Sequence, residues 1–329
     1  MQTKLLEILA CPECQGELRC TTSEVHSDGD IEGGSLQCQA CRRTFPIQRG
    51  IPRFVKTDNY ASSFGYQWNY FKSQQIDSVN GTELSRKRFY SETNWTPEWM
   101  ESKWILDAGC GAGRFLDIAS GNDCQVVGVD ISNATDAARS TVGGRRNVHL
   151  VQASIYQLPF RPAVFDGCYS IGVIQHTPDP EKAVRSLPRI LKPDGRIALT
   201  IYERRRWTMW HSKYLIRPLT KRMNKAVLLF SIKCLMPFVF PLTEVAFRLP
   251  GLGKLFSFAI PVANYVDERE LSLGQRYDWA LLDTFDMLSP EYDQPQTEEV
   301  VTRILRDQRV VDIQRLPTGG LNLIGRRAG

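Results

Sequence analysis

A chain of 329 residues has length for about two domains at roughly 150 residues each, and its 42% hydrophobic and 23% charged composition excludes a disordered or fibrous protein. The formal net charge of +5 is too small to argue by itself for a nucleic-acid partner, but it is unevenly spread: residues 203–260 hold eleven Lys or Arg against two Glu, leaving the remainder slightly acidic. The opening MQTKLLEILACPEC has an apolar stretch too short for a secretory core and no small-residue cleavage site, so the expected location is cytoplasmic, peripheral to a membrane if residues 203–260 touch one.

Cys11-Pro-Glu-Cys14 and Cys38-Gln-Ala-Cys41 are each spaced so that two thiolates on one tight knuckle face a single ion. Four thiolates complete a tetrahedral shell, so structural zinc is the expected metal, with no open position for chemistry. The stretch between the pairs is polar and Gly-rich (Gly29, Gly33, Gly34), so metal binding is expected to supply much of the folding free energy. LLEILACPEC followed by CQACRRTFPIQRGIPRF resembles the small zinc-ribbon domain that serves elsewhere as an activator subunit of methyltransferases, and the expected ribbon covers residues 1–56.

Residues 57–103 read as a connector. It is rich in aromatics and cations (FGYQWNYF, then RKRFY), and two readings stay open. It is either a lid with Gln67, Trp68 or Arg88 touching a ligand, or a helical strap that packs its aromatics on a sheet.

Trp104-Ile105-Leu106-Asp107-Ala108 is an apolar strand running into Gly109-Cys110-Gly111-Ala112-Gly113, with a helix expected from about Ala112. An acid beside such a turn disfavours a pyrophosphate and suits a ligand with an ammonium and a sulfonium. A second strand ends in Asp130, where a carboxylate can accept both hydroxyls of a ribose. A third strand leads into Ser154 and Leu158-Pro159-Phe160, and a fourth runs through Ser170. A helix over 179–191 is ended by Lys192-Pro193-Asp194-Gly195 before a fifth strand over 196–202. The alternation predicts an α/β fold, a doubly wound, mostly parallel seven-stranded sheet. A helix over 297–306 and a closing hairpin add the final antiparallel strand. The expected division is 1–56, 57–103, 104–202 (first part of the core), 203–278 (a basic, apolar helical insertion) and 279–329 (end of the core).

Over residues 104–202 the sequence resembles the class I S-adenosylmethionine-dependent methyltransferases. The resemblance implies S-adenosylmethionine as methyl donor, held by Asp107, Gly109, Gly111 and Gly113 along its methionine part, Asp130 at the ribose and Ile131 against adenine. Ser154 stands where the family offers an Asp to the adenine amino group, and Ser170 completes the expected cofactor set. Asp194 replaces a usual Gly in a surface turn.

Methyl transfer is an in-line displacement from sulfur that demands alignment first and a base only if the acceptor must lose a proton. His176, just after the fourth strand, is the candidate base, with capping or packing of the next helix as the alternative. His26, His149 and His211 lack comparable placement. Residues 226–247 are strongly apolar but interrupted by Lys233, Pro237, Pro241 and Glu244, which argues against a spanning helix. The insertion is expected to lie on an anionic membrane, hold an apolar acceptor chain, or form an ordinary helical cap. The expected function is O-methylation of a biosynthetic intermediate, a glycan or lipid-linked small molecule. The alternatives are an RNA methyltransferase and a non-catalytic docking protein that binds S-adenosylmethionine.

Overall fold

A computed structural model describes residues 1–25, 30–56 and 58–329. His26, Gly29 and Thr57, the first connector residue, lie outside the described residues.

The ribbon starts with helix α1 (Thr3–Ile8), followed by an antiparallel sheet of β1 (Leu18–Val25), β2 (Ile31–Cys38), β3 (Thr44–Gln48) and β4 (Ile51–Pro52) in that order. Contrary to the polar reading of the segment between the knuckles, Leu18, Ile31 and Leu36 are buried there. They join Leu5, Leu9, Phe45 and Ile47 in a core continuous with that of the larger domain. Apolar burial therefore contributes to ordering the ribbon.

The connector forms α2 (Ser62–Tyr70), α3 (Asp77–Asn80), α4 (Leu84–Thr93) and α5 (Pro97–Met100). Thr96 caps α5 by accepting from the Trp99 amide, with Pro97 as its first helical residue.

The large sheet has seven strands: β5 (Trp104–Ala108), β6 (Gln125–Asp130), β7 (Val148–Gln152), β8 (Phe165–Ile171), β9 (Leu191–Ile201), β10 (Val310–Arg315) and β11 (Leu321–Arg327). Their order is β10-β11-β9-β8-β5-β6-β7, and only β11 runs antiparallel to its neighbours. The crossovers carry α6 (Arg114–Ala119), α7 (Ala134–Thr141) and α8 (Pro180–Ser186). Pro188 cannot donate into a continuing helix, so α8 stops early, a 3-10 turn follows, and β9 begins at Leu191. Asp194 sits at φ +61 within β9, exposed and paired with Arg326.

Edge strand β7 is covered by the ribbon at its end, where Arg53 bridges Gln152 and Phe54 N–H donates to Gln152 O at 2.8 Å, and Leu9 bridges Phe160 in the loop beyond it. The Arg53 guanidinium also donates to Gln152 Oε1 at 2.7 Å and to Asp136 Oδ1 at 2.8 Å.

The insertion folds as α9 (Lys213–Thr220), α10 (Lys225–Ala246), α11 (Gly253–Ala259) and α12 (Leu273–Leu288), and α13 (Glu298–Asp307) precedes the closing hairpin. Helix α12 opens with a capping box, Ser272 against Gln275, and runs through position 278. Helix α10 is continuous over 22 residues despite Pro237 and Pro241, and among the described residues it is the one helix long and apolar enough to cross a membrane. One face of it packs on α12 through Leu228, Leu229, Ile232, Met236 and Phe240.

Candidate active site

A cavity of about 550 Å³ opens at the carboxyl ends of β5, β6 and β8, the position where open α/β sheets bind ligands. Gly109 and Gly111 line it at φ +105 and +51. A Cβ on Gly109 would stand 2.4 Å from the Val173 side chain, and one on Gly111 would stand 3.0 Å from the Trp68 indole nitrogen. Only glycine fits both the backbone and the space.

Asp130 lines the cavity from the tip of β6. Its Oδ2 accepts from Gly111 N–H at 3.0 Å, and its Oδ1 accepts from Ser132 N–H at 2.9 Å and Ser132 Oγ at 2.7 Å. A carboxylate has further lone pairs for two ribose hydroxyls. Burial raises its pKa against those three donors. Asp107 is buried one strand away, accepts from Tyr169 OH at 3.1 Å, and is pushed well above the carboxylate range by burial and then by the Asp130 charge. Among the described residues neither acid has an Arg or Lys partner. Asp130 on the wall, with Asp107 behind the turn, leaves this end of the cavity with carboxyl groups that a cation would relieve.

The structure brings Gly109, Gly111, Asp130, Ile131 and His176 to one cavity. It keeps four other expected residues off its wall. Asp107 lies behind the turn, and Gly113 is the N-cap of α6 at φ +93. Ser154 accepts from Tyr156 N–H at 3.2 Å as the cap of a 3-10 turn, and the buried Ser170 hydroxyl donates to Ala108 O at 2.7 Å.

His176 lies between Phe64 and Tyr202, with ring centroids at 5.0 and 5.5 Å. Its Nδ1 is 3.0 Å from Tyr292 O. A carbonyl only accepts, so Nδ1 carries the proton and Nε2 of the neutral ring keeps its lone pair.

The connector packs aromatics on the sheet and also contributes to the cavity wall. Phe89, Trp95 and Met100 pack on the sheet beside Ile105 and Tyr169, while Phe64, Trp68 and Arg88 line the cavity. Gln67 stays off the wall, fully buried.

Further lining comes from the insertion, α12 and the loop that follows it. Lys213, Trp279, Asp283, Asp286 and Asp293 line the cavity, and sequence reasoning missed all five as site residues. Lys213 Nζ pairs with Asp293 Oδ2 at 2.7 Å and lies 5.0 Å from the Tyr202 ring centre. Burial and then the Asp286 charge push Asp283 up to about 7, against the opposing pull of Arg114 and Arg88. Trp279, Asp283 and Asp286 stand at i, i+4 and i+7 of one helix. That acidic stripe at helical spacing in a largely apolar helix was the available signal.

The four ribbon cysteines bring their sulfurs within 4.8 Å of one another, Cys11 to Cys41 at 3.7 Å and Cys14 to Cys38 at 3.5 Å. Tetrahedral zinc with Zn–S of about 2.3 Å sets sulfurs about 3.8 Å apart, so the four thiolates could hold that ion.

Residues 106–199 match the family described as Methyltransferase domain, and residues 2–50 match the family described as Trm112p-like protein. An O-methyltransferase of Pyrenophora dematioidea is 35% identical over 184 residues, covering 52% of this chain and 63% of that protein. A tRNA U34 carboxymethyltransferase of Aeromonas salmonicida is 31% identical over 124 residues, covering 33% and 38%. The solved 1,6-didemethyltoxoflavin-N1-methyltransferase of Burkholderia thailandensis aligns at 16% identity and a TM-score of 0.40, over 91% of this chain and 100% of that one. The chain spans about half the length of the curated relatives it matches. It carries a methyltransferase domain behind a Trm112p-like ribbon with four clustered cysteines.

Proposed function

We propose that this protein transfers the methyl group of S-adenosylmethionine to a hydroxyl oxygen of a small biosynthetic acceptor, a glycan or lipid-linked molecule. The observation that carries the donor assignment is a half-buried Asp130 on the cavity wall with a fully buried Asp107 behind it, neither having a cationic partner among the described residues. Bound there, S-adenosylmethionine supplies an electrophilic methyl on a sulfonium. Asp130 accepts the ribose hydroxyls, Ile131 packs on the adenine, and the bare backbone of Gly109 and Gly111 admits the methionine part. Asp107 acts through the pocket's field from behind the turn rather than by contact.

On the acceptor side, Asp283 and Asp286 accept hydrogen bonds from acceptor hydroxyls, and Phe64 and Trp68 help exclude water. His176 Nε2, with its lone pair available, would take the proton of the acceptor hydroxyl. A built acceptor wall favours a catalyst over a docking protein that merely binds the donor. The exposed apolar side chains among the cations at 203–260 are mostly aliphatic (Leu215, Leu219, Leu235, Leu242, Leu255) and offer bases no stacking face, which favours a lipid-linked acceptor and peripheral membrane contact over an RNA track.

Calorimetric titration with S-adenosylmethionine tests the donor site: wild type gives a saturable heat that Asp130→Ala abolishes. Heat with a nicotinamide dinucleotide in place of S-adenosylmethionine overturns the assignment. Turnover unchanged in His176→Ala removes that side chain from the proton transfer.

A further inference from the structure

Helix α9 is turned inside out. Its Arg217 is 5% exposed and donates to Met287 O at 2.8 Å and Pro290 O at 2.9 Å, while Leu215 is 81% and Leu219 69% exposed. A surface helix in water does the reverse, because exposing leucine while burying arginine forfeits apolar burial and charge hydration together. Helix α10 is apolar on both faces. Val227, Phe230, Leu235, Phe238, Leu242 and Val245 are all more than half exposed, opposite the face packed on α12. Of the nineteen large hydrophobic side chains exposed among the described residues, fifteen lie between Trp207 and Leu255.

The charge on the same segment has one sign. Between residues 204 and 260 the sole acid is Glu244, which is held by Arg276 and Arg248. Arg204, Arg206, Arg222 and Lys254 are exposed. We infer that α9, α10 and α11 dock on the surface of an anionic phospholipid bilayer, with α10 lying in its interface rather than spanning it. The buried face of α10 is occupied by α12, and its end is tied down by Thr243 Oγ1 accepting from Asn264 at 2.9 Å and by the Glu244 pairs. A second copy of this chain is a poor occupant, since cation would meet cation with no exposed acid to match. Apolar side chains with flanking cations match the interfacial half of an anionic bilayer.

This inference deepens the proposed function. Lys213 of α9 lines the cavity, while Leu215 of the same helix faces outward. A docked face therefore adjoins the acceptor wall, where a lipid-linked acceptor would arrive.

The test is flotation of the full-length protein with vesicles of phosphatidylcholine alone and with a third of that lipid replaced by phosphatidylglycerol. The expected result is partition at least about tenfold stronger onto the anionic vesicles. Phe238→Asp with Leu242→Asp, and separately Leu215→Asp with Leu219→Asp, each lower it about tenfold or more. Arg204→Gln with Arg206→Gln removes most of the anionic preference at low salt. Absent partition, partition unaffected by these changes, tighter binding to single-stranded RNA than to vesicles, or a dimer that Phe238→Asp dissociates each overturns the inference. Calorimetry on the same samples separates the two proposals. Intact S-adenosylmethionine binding without vesicle partition sinks the docking face alone, and vesicle partition without S-adenosylmethionine binding sinks the donor site alone.

Discussion

Gln67 of the connector donates its side-chain amide to Asp286 Oδ1 of α12 at 2.9 Å, joining two elements 219 positions apart. The link fastens the strap carrying Phe64 and Trp68 to the helix carrying Asp283, so the two walls of the cavity are held as one unit.

Gln67→Leu is expected to destabilise the protein by about 1–3 kcal/mol, because a fully buried donor is lost and Asp286 Oδ1 is left without it. Thermal melts measure this, and cofactor titration should weaken in parallel. An unchanged Tm would mean that the strap is held by its aromatic packing alone.

Gly109→Ala should remove cofactor binding and lower stability together. The new Cβ meets Val173 at 2.4 Å, and the φ of +105 strains any L side chain. Gly144→Ala, where nothing lies within 4 Å, is the control that should leave donor affinity unaltered. Full donor affinity in Gly109→Ala would refute the glycine turn as the binding surface.

Asp283 gives stability a definite dependence on pH. Its folded-state pKa, pushed up to about 7 first by burial, exceeds the usual 3.8, so the folded protein binds the extra proton between those values. Stability from this group is therefore complete below about pH 4 and is lost as pH rises through about 7. Asp283→Asn abolishes the dependence, so the Tm of the variant should gain on wild type from pH 5 to pH 8. A constant difference across that range would contradict a protonated Asp283. Methyl transfer should fall in the same variant if its carboxylate orients the acceptor.

Zinc removal should be felt beyond the ribbon. A strong chelator, or Cys14→Ser with Cys41→Ser, is expected to release one zinc per chain, measured by elemental analysis. It should also raise hydrogen exchange along β7, because Arg53 and Phe54 of the ribbon cover that edge. Unchanged β7 protection after metal loss would show that apolar contacts hold the ribbon without its ion.

Sequence by itself determined the parts of this protein whose cause is local. Two CxxC knuckles declare a four-thiolate cluster because ligand spacing within a knuckle is a property of a few residues. Strands ending at Ala108 and Asp130, a glycine bend and intervening helices declare a doubly wound sheet because residue period and turn chemistry are local too. Only the tertiary structure decided which side chains reach the cavity. Asp107, Gly113, Ser154 and Ser170 stand close in sequence to residues that line it yet point elsewhere or lie behind the backbone. Lys213, Asp283, Asp286 and Asp293, far along the chain, complete the cavity's lining. Likewise residues 203–260 were legible as basic and apolar, but not as inverted. Which face of α9 is buried depends on the carbonyls of Met287 and Pro290 that receive Arg217, and those are fixed by long-range packing that residue spacing does not encode.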